Sequence, residues 1–170
     1  MRYSLFFLLA TFSFAASRYT VEPFAGSSWV GDGGPSRDSL LLQADGLATD
    51  TFGNVFISDA QTHRVRRINP AGIIETVAGT GVAGFSGDEG PATQAQLSSP
   101  YGLATDAQGN LYIADLGNHR IRRVSPNGTI LTWASGFRAP RNIVSDPNGN
   151  LFIADFDASL VVLRLADGHS

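Results

Sequence analysis

The sequence predicts an all-β protein built from repeated antiparallel units, and three observations predict it. Three stretches align with one another: "GLATDTFGNVFISDAQTHRVRRINPAG" from Gly46, "GLATDAQGNLYIADLGNHRIRRVSPNG" from Gly102 and "NIVSDPNGNLFIADFDASLVVLRLADG" from Asn142, at offsets of 56 and then 40 residues. The apolar runs are short, alternating, and rich in β-branched and aromatic side chains, as half-buried strands are. Gly is abundant, at 19 of 170 residues, and it falls where tight turns need a positive φ.

The elements follow in order along the chain. Arg2 precedes an apolar stretch from Leu5 to Phe14, and Ala15, Ala16 and Ser17 follow. That is the pattern of a secretory signal peptide over 1–17, cleaved after Ala15 or Ser17 and too short to span a bilayer. It predicts a secreted or periplasmic protein with no membrane span after cleavage. The remaining 18–170 suits one domain. Within it, "RYTVEPFAG" at 18–26 matches "IIETVAG" at 73–79 and reads as a lone outer strand. The repeat units cover approximately 46–79, 101–135 and 141–167. In the second unit the spacing predicts strands over 101–105, 110–115, 119–125 and 129–134. "DTFGN", "DAQGN" and "DPNGN" are hairpin turns, in which Asp bonds its own backbone and Gly takes the positive φ. Four short strands per repeat of about 40 residues describe the blades of a β-propeller. The extra 16 residues of the first offset lie in a Gly-rich loop at 79–100, of which 24–46 carries a shorter copy. The third unit ends soon after its third strand. Two readings stay open: a homodimer that completes a six-bladed ring, or a segment of a longer chain.

"GNVFISDAQTHRVRRI" and "GNLYIADLGNHRIRRV", each with G-L-A-T-D upstream, closely resemble NHL repeats, and the linker "TVAGTGVAGFSGDEGPATQAQLSSPYGLATD" resembles one common in secreted bacterial NHL proteins. The resemblance covers nearly all of 20–167. It is specific in the first two units and departs in the third, where "FDASLVVL" replaces the Asn-His-Arg signature. It implies a propeller that acts mostly as a binding platform, with some relatives being lyases or lactonases.

Candidate sites sort into architecture and surface. The repeated basic segments place Arg64, Arg66, Arg120 and Arg122 on the third strand, where a buried stem is expected to carry its guanidinium out to water. Asp59, His63, Asp115, Asn118, His119 and Asp155 form a repeated motif around the turn after the second strand, read as structural because Asp and Asn side chains there can tie the backbone. The long loops and these turns emerge on one face, and the opposite face carries only minimal hairpins. Ligand contact is therefore expected on the loop face, through Trp29, Phe85, Asp88 and Glu89.

Other chemistries lack their context. "GTGVAG" at 79–84 has no following helix to hold a nucleotide phosphate. "SGDEGP" at 86–91 has carboxylates without an established calcium-ligand spacing. His63, His119 and His169 do not assemble a zinc set, and "GFSGD" fails as a nucleophile elbow. Lys is absent, all twelve basic residues are Arg, and the net charge is −3, which argues against nucleic acid. No Cys is present for disulfides. No cofactor and no metal are assigned. The leading expectation is an exported non-enzymatic module that binds a protein or carbohydrate; the alternative is a propeller lyase or lactonase-like hydrolase acting at the axis, where only Asp50, Asp106 and Asp146 are ionisable.

Overall fold

The structure, a computed structural model, describes residues 31–156 and the backbone of 160–164. The signal-peptide segment, the 18–26 strand, Trp29 and His169 lie outside the described residues.

Alternating side chains and Asp-initiated turns fold the chain into three antiparallel sheets. The first comprises β1 (Ala44–Thr49), β2 (Val55–Asp59), β3 (Arg64–Ile68) and β4 (Ile74–Ala78), and the second β5 (Pro100–Thr105), β6 (Leu111–Asp115), β7 (Arg120–Val124) and β8 (Ile130–Ser135). The third contains β9 (Pro140–Ser145), β10 (Leu151–Asp155) and β11 (Leu160–Arg164). The first two are four-stranded and the third is three-stranded, each in simple meander order.

The inner hairpin of each sheet is set by one turn device. In the second sheet the Asp106 carboxylate accepts the backbone N–H of Gln108 and of Asn110 and the Asn110 side-chain amide, the last at 2.7 Å. Asp50 and Asp146 do the same in their sheets. Gly53, Gly109 and Gly149 close these turns at φ of 81–84°. This fixes the register, so Ile57, Ile113 and Ile153 occupy equivalent places on their second strands.

Two apolar cores lie between consecutive sheets. Phe56, Val65 and Ala78 of the first sheet pack with Leu103, Leu111 and Ile113 of the second, along with Ala92, Ala95 and Leu97 from the long loop. Ala104, Tyr112 and Ile121 of the second pack with Ile143, Leu151 and Ile153 of the third. Trp133 meets Tyr112 edge-on at 5.5 Å. The innermost strands approach so closely that a Cβ on Gly102 would lie 2.7 Å from the Arg141 carbonyl oxygen. Hydroxyls lace them together: Thr105 donates to the Thr49 carbonyl and Ser145 to the Thr105 carbonyl, each at 2.7 Å.

Alternation along the strands decides which side chains lack a neighbouring sheet. Leu47 is 68% exposed, whereas its equivalents Leu103 and Ile143 are 4% and 2% exposed. On the opposite face, Val144 is 56% exposed and its equivalent Ala104 only 4%. The outer faces of the first and third sheets are thus uncovered at their inner strands, while the second sheet is covered on both sides.

Candidate ligand-binding face

The loop face is built on a clasp that ends every second strand. The buried Asp59 carboxylate accepts the N–H groups of Leu42 and Gln43, Asp115 that of Ser98, and Asp155 those of Arg138 and Ala139. Each Asp therefore holds the segment leading into the first strand of its own sheet. Asn118 donates to Asp115 at 2.8 Å and to the Gly84 carbonyl at 2.7 Å, tying the turn to the long loop. Burial pushes the Asp115 carboxyl above its ordinary value, and the hydrogen bonds from Asn118 and Ser98 and the charge of Arg122 oppose this without cancelling it.

His63 and His119 both sit in the left-handed region, at φ of 54° and 58°. Each reaches the segment ahead of the next sheet. The Ser99 N–H donates to His63 Nδ1 at 3.1 Å, while His119 Nδ1 lies 2.6 Å from the Arg138 carbonyl and donates to it. The two imidazoles therefore use opposite roles of the same nitrogen.

The expectation that the third-strand guanidinium groups reach water fails for two of the four. Arg66 and Arg122 are fully buried. The strap segments that carry Asp32 and Asp88 lie over these guanidinium groups, and the neighbouring outer strands are bulged beside them, with Val77 and Trp133 as the extra residues. Arg122 donates to Asp88 at 2.7 Å, to Asp115 at 3.4 Å and to the carbonyls of Ser86 and Gln96. The other Asp88 oxygen accepts the Thr132 hydroxyl at 2.7 Å. The same network is written 56 residues earlier, with Arg66 on Asp32 at 2.6 Å and Thr76 on Asp32 at 3.2 Å. The backbone agrees: Ile130 and Gly90 pair as Ile74 and Gly34 do, and Ala92 bonds Gly128 as Ser36 bonds Gly72. The Gly-rich loop is thus an anchored strap across the outer strand, with Ala92, Ala95 and Leu97 buried beneath it. The signal for this lay in the sequence, because the Asp of "GDGGP" and "GDEGP" recurs at the same offset as the Arg.

These contacts locate the residues expected on the surface. Phe85 is exposed and lies over the Arg120 guanidinium at 3.7 Å and near that of Arg122 at 4.9 Å. Asp88 has both carboxylate oxygens engaged within the strap. Glu89 is exposed, at φ 67°, and its backbone N–H bonds Ile130. Sequence reasoning missed a second group, at the mouth of the axis. Asp45, Tyr101 and Arg141 occupy equivalent positions on the three innermost strands and differ in kind, although the flanking residues repeat. Gln43 donates to the Tyr101 hydroxyl at 3.4 Å. The Arg141 guanidinium lies 5.5 Å from the Tyr101 ring and 4.9 Å from the exposed Phe156 ring. Below the mouth, the groove along the inner strands is lined by Leu47, Ala48, Thr49, Leu103, Ala104, Thr105, Ile143, Val144 and Ser145. No helix among the described residues is long and apolar enough to cross a membrane.

Meander sheets packed face to face around a common axis, each with its innermost strand against the next, define a β-propeller segment. Comparisons with known proteins agree. The family model of the teneurin NHL domain matches residues 80–125, which run from the strap through the third strand of the second sheet. Human teneurin-4 is 36% identical over 106 residues, covering 55% of this chain and 4% of that protein. The chloroplastic protein SUPPRESSOR OF QUENCHING 1 of Arabidopsis thaliana is 35% identical over 95 residues, covering 55% of this chain and 9% of that protein. The chain therefore spans less than a tenth of the length of these relatives. A chain of a nidogen/laminin complex superposes with a TM-score of 0.59 at 25% identity, covering 75% of this chain and 46% of that one. Virginiamycin B lyase from Staphylococcus aureus superposes at 0.56 with 17% identity, covering 74% of this chain and 39% of the lyase, a likeness of fold. These findings support an NHL-repeat β-propeller family for the chain.

Proposed function

We propose that this chain is an exported, non-enzymatic binding module that contacts its ligand through the loop face. The observation that carries the reading is the axial mouth: Asp45, Tyr101 and Arg141 stand at equivalent positions where nearly everything around them repeats, so the fold leaves them free to vary. Phe85 and Glu89 extend the same face outward. The nidogen/laminin complex supports the reading by analogy, as a propeller chain in a protein complex. Among the described residues the lining of the inner groove is aliphatic and hydroxyl-bearing, which supports the binding reading. Export rests on the 1–17 leader, and the mass of the mature N-terminus checks it.

The test is selection from a phage-displayed peptide library, followed by comparison of the wild type with Tyr101→Ala and Phe85→Ala. The expected result is enriched peptides whose affinity drops about tenfold in the variants, about 1.4 kcal/mol. Equal binding by the variants would move the site off this face. Turnover of a lactone substrate, with or without a chelator, would favour the enzymatic reading instead. The uncovered faces at Leu47 and Val144 support association of two copies into six sheets, within the range of about four to eight blades that propellers use. Light scattering tests this, and a monodisperse monomer would leave those faces to blades of a longer chain.

A further inference from the structure

Both faces of this acidic protein carry carboxylates, and on the loop face Asp45 and Glu89 are exposed. The hairpin face holds Asp50, Asp106 and Asp146, each engaged with its own turn. The loop face also carries arginines of the second and third sheets, Arg120, Arg138 and Arg141, with His119 between. His119 links the two sheets by its bond to the Arg138 carbonyl, and Arg141 is the extra residue of the bulge that opens β9. Arg138 and Arg141 are exposed, and no carboxylate among the described residues forms an ion pair with Arg120, Arg138 or Arg141. Asp155, the carboxylate beneath them, is buried and accepts the backbone N–H groups of Arg138 and Ala139.

The aromatic neighbours make this more than loose surface charge. Phe85 covers one face of Arg120 at 3.7 Å, and Tyr101 and Phe156 flank Arg141 at 5.5 and 4.9 Å. Arg120 also donates its Nε to the Asn118 carbonyl at 2.8 Å, whereas stacking of the exposed Arg141 orders the guanidinium and leaves an N–H edge that matches a carboxylate with two parallel hydrogen bonds. Ordering the side chains in advance reduces the entropy lost on binding.

We propose that the loop face recognises an acidic peptide segment, with Arg138 and Arg141 receiving carboxylates and Phe85 and Phe156 packing against the peptide between them. This rests on the loop-face reading above and names its partner class. An extended nucleic acid fits less well, because these arginines are few and the chain carries a net charge of −3.

The experiment measures fluorescence anisotropy of a labelled Glu-rich peptide with the full chain, alongside a Lys-rich peptide and an RNA oligonucleotide of equal length. Expected is saturable binding of the Glu-rich peptide alone, weakened about tenfold by Arg141→Ala and by Arg138→Ala, weakened by rising salt, and unaffected by Asp146→Asn on the opposite face. Circular dichroism confirms that each variant is folded, which exposed positions permit. No binding of the Glu-rich peptide, binding that both Arg variants retain, or equal or tighter binding of the RNA would each overturn the proposal. If the peptide library instead yields uncharged ligands lost in Tyr101→Ala, the loop-face reading stands and the acidic partner falls.

Discussion

The second and third sheets start alike and finish differently. Both open their inner hairpin with an Asp-Gly-Asn turn, and both end the second strand with a buried Asp that holds the backbone ahead of the first. They diverge on the third strand. Arg122 pairs across from Ile113 in the second sheet, and Val162 stands at that register across from Ile153 in the third. The second sheet is preceded by the strap of 79–99, and the third by only Gly136 to Ala139 between its neighbours. Where the strap is missing, the Arg is missing. The two are coupled: a buried guanidinium without the Ser86 and Gln96 carbonyls and Asp88 would be an uncompensated charge, and the strap without the guanidinium would lose one of the contacts that offset its ordering entropy.

Replacing Arg122 by the residue of the third sheet is the strongest way to break this comparison. Arg122→Val leaves Asp115 buried and Asp88 without its cation, and should destabilise the fold by about 3–5 kcal/mol in chemical denaturation. A double-mutant cycle with Asp88→Asn should show coupling of about 0.5–3 kcal/mol, because the two residues share one network. If Arg122→Val costs no more than a surface substitution, about 0.5 kcal/mol, the strap and the Arg are independent.

A smaller effect sharpens what the sheets share. Asp115→Ala and Asp155→Ala should each cost about 1–3 kcal/mol, since each removes the acceptor of a backbone clasp. A loss far larger for Asp115 than for Asp155 would assign Asp115 mainly to Arg122. An unchanged melting temperature with lost ligand binding would overturn the structural role altogether.

Much of this architecture was legible in the sequence, because its causes are local. Asp, Gly and Asn at fixed places in a five-residue turn set the hairpins, and period-two alternation set the strands to within a residue or so. The direction of the third-strand arginines was not legible from their spacing. "RVRR" alternates whichever face is buried, and the strap that lies over one face decides that Arg66 and Arg122 are enclosed. The mouth residues were passed over for a related reason. Asp45, Tyr101 and Arg141 share no motif, and only the superposed sheets reveal that they occupy one ring of positions. Phe85 was chosen as an exposed loop aromatic, and its stacking on Arg120 follows from the strap being anchored.

The smallest expected effect is the response to acid, and it separates the clasp from the turns. Burial raises the Asp115 carboxyl above 3.8, so its contribution to stability is fully present below that value and is lost as pH rises through the raised folded value. Asp50 and Asp146 behave in the opposite sense. Burial pushes Asp50 up, but hydrogen bonds from Asn54 and Phe52 outweigh it, and the Asn150 side chain holds Asp146 down, so both lie below 3.8. Their contributions are present above 3.8 and are lost as pH falls through the lowered folded values. Acidification from neutrality should therefore bring a gain from Asp115 before the turns begin to lose. Asp115→Asn, normalised to its own stability at neutral pH, should lack that gain and start its acid decline earlier. Asp146→Asn should keep the gain and soften the decline below 3.8. Denaturation midpoints across this range provide the measurement. If Asp115→Asn follows the wild-type profile, the raised carboxyl is not what distinguishes the clasp of the second sheet.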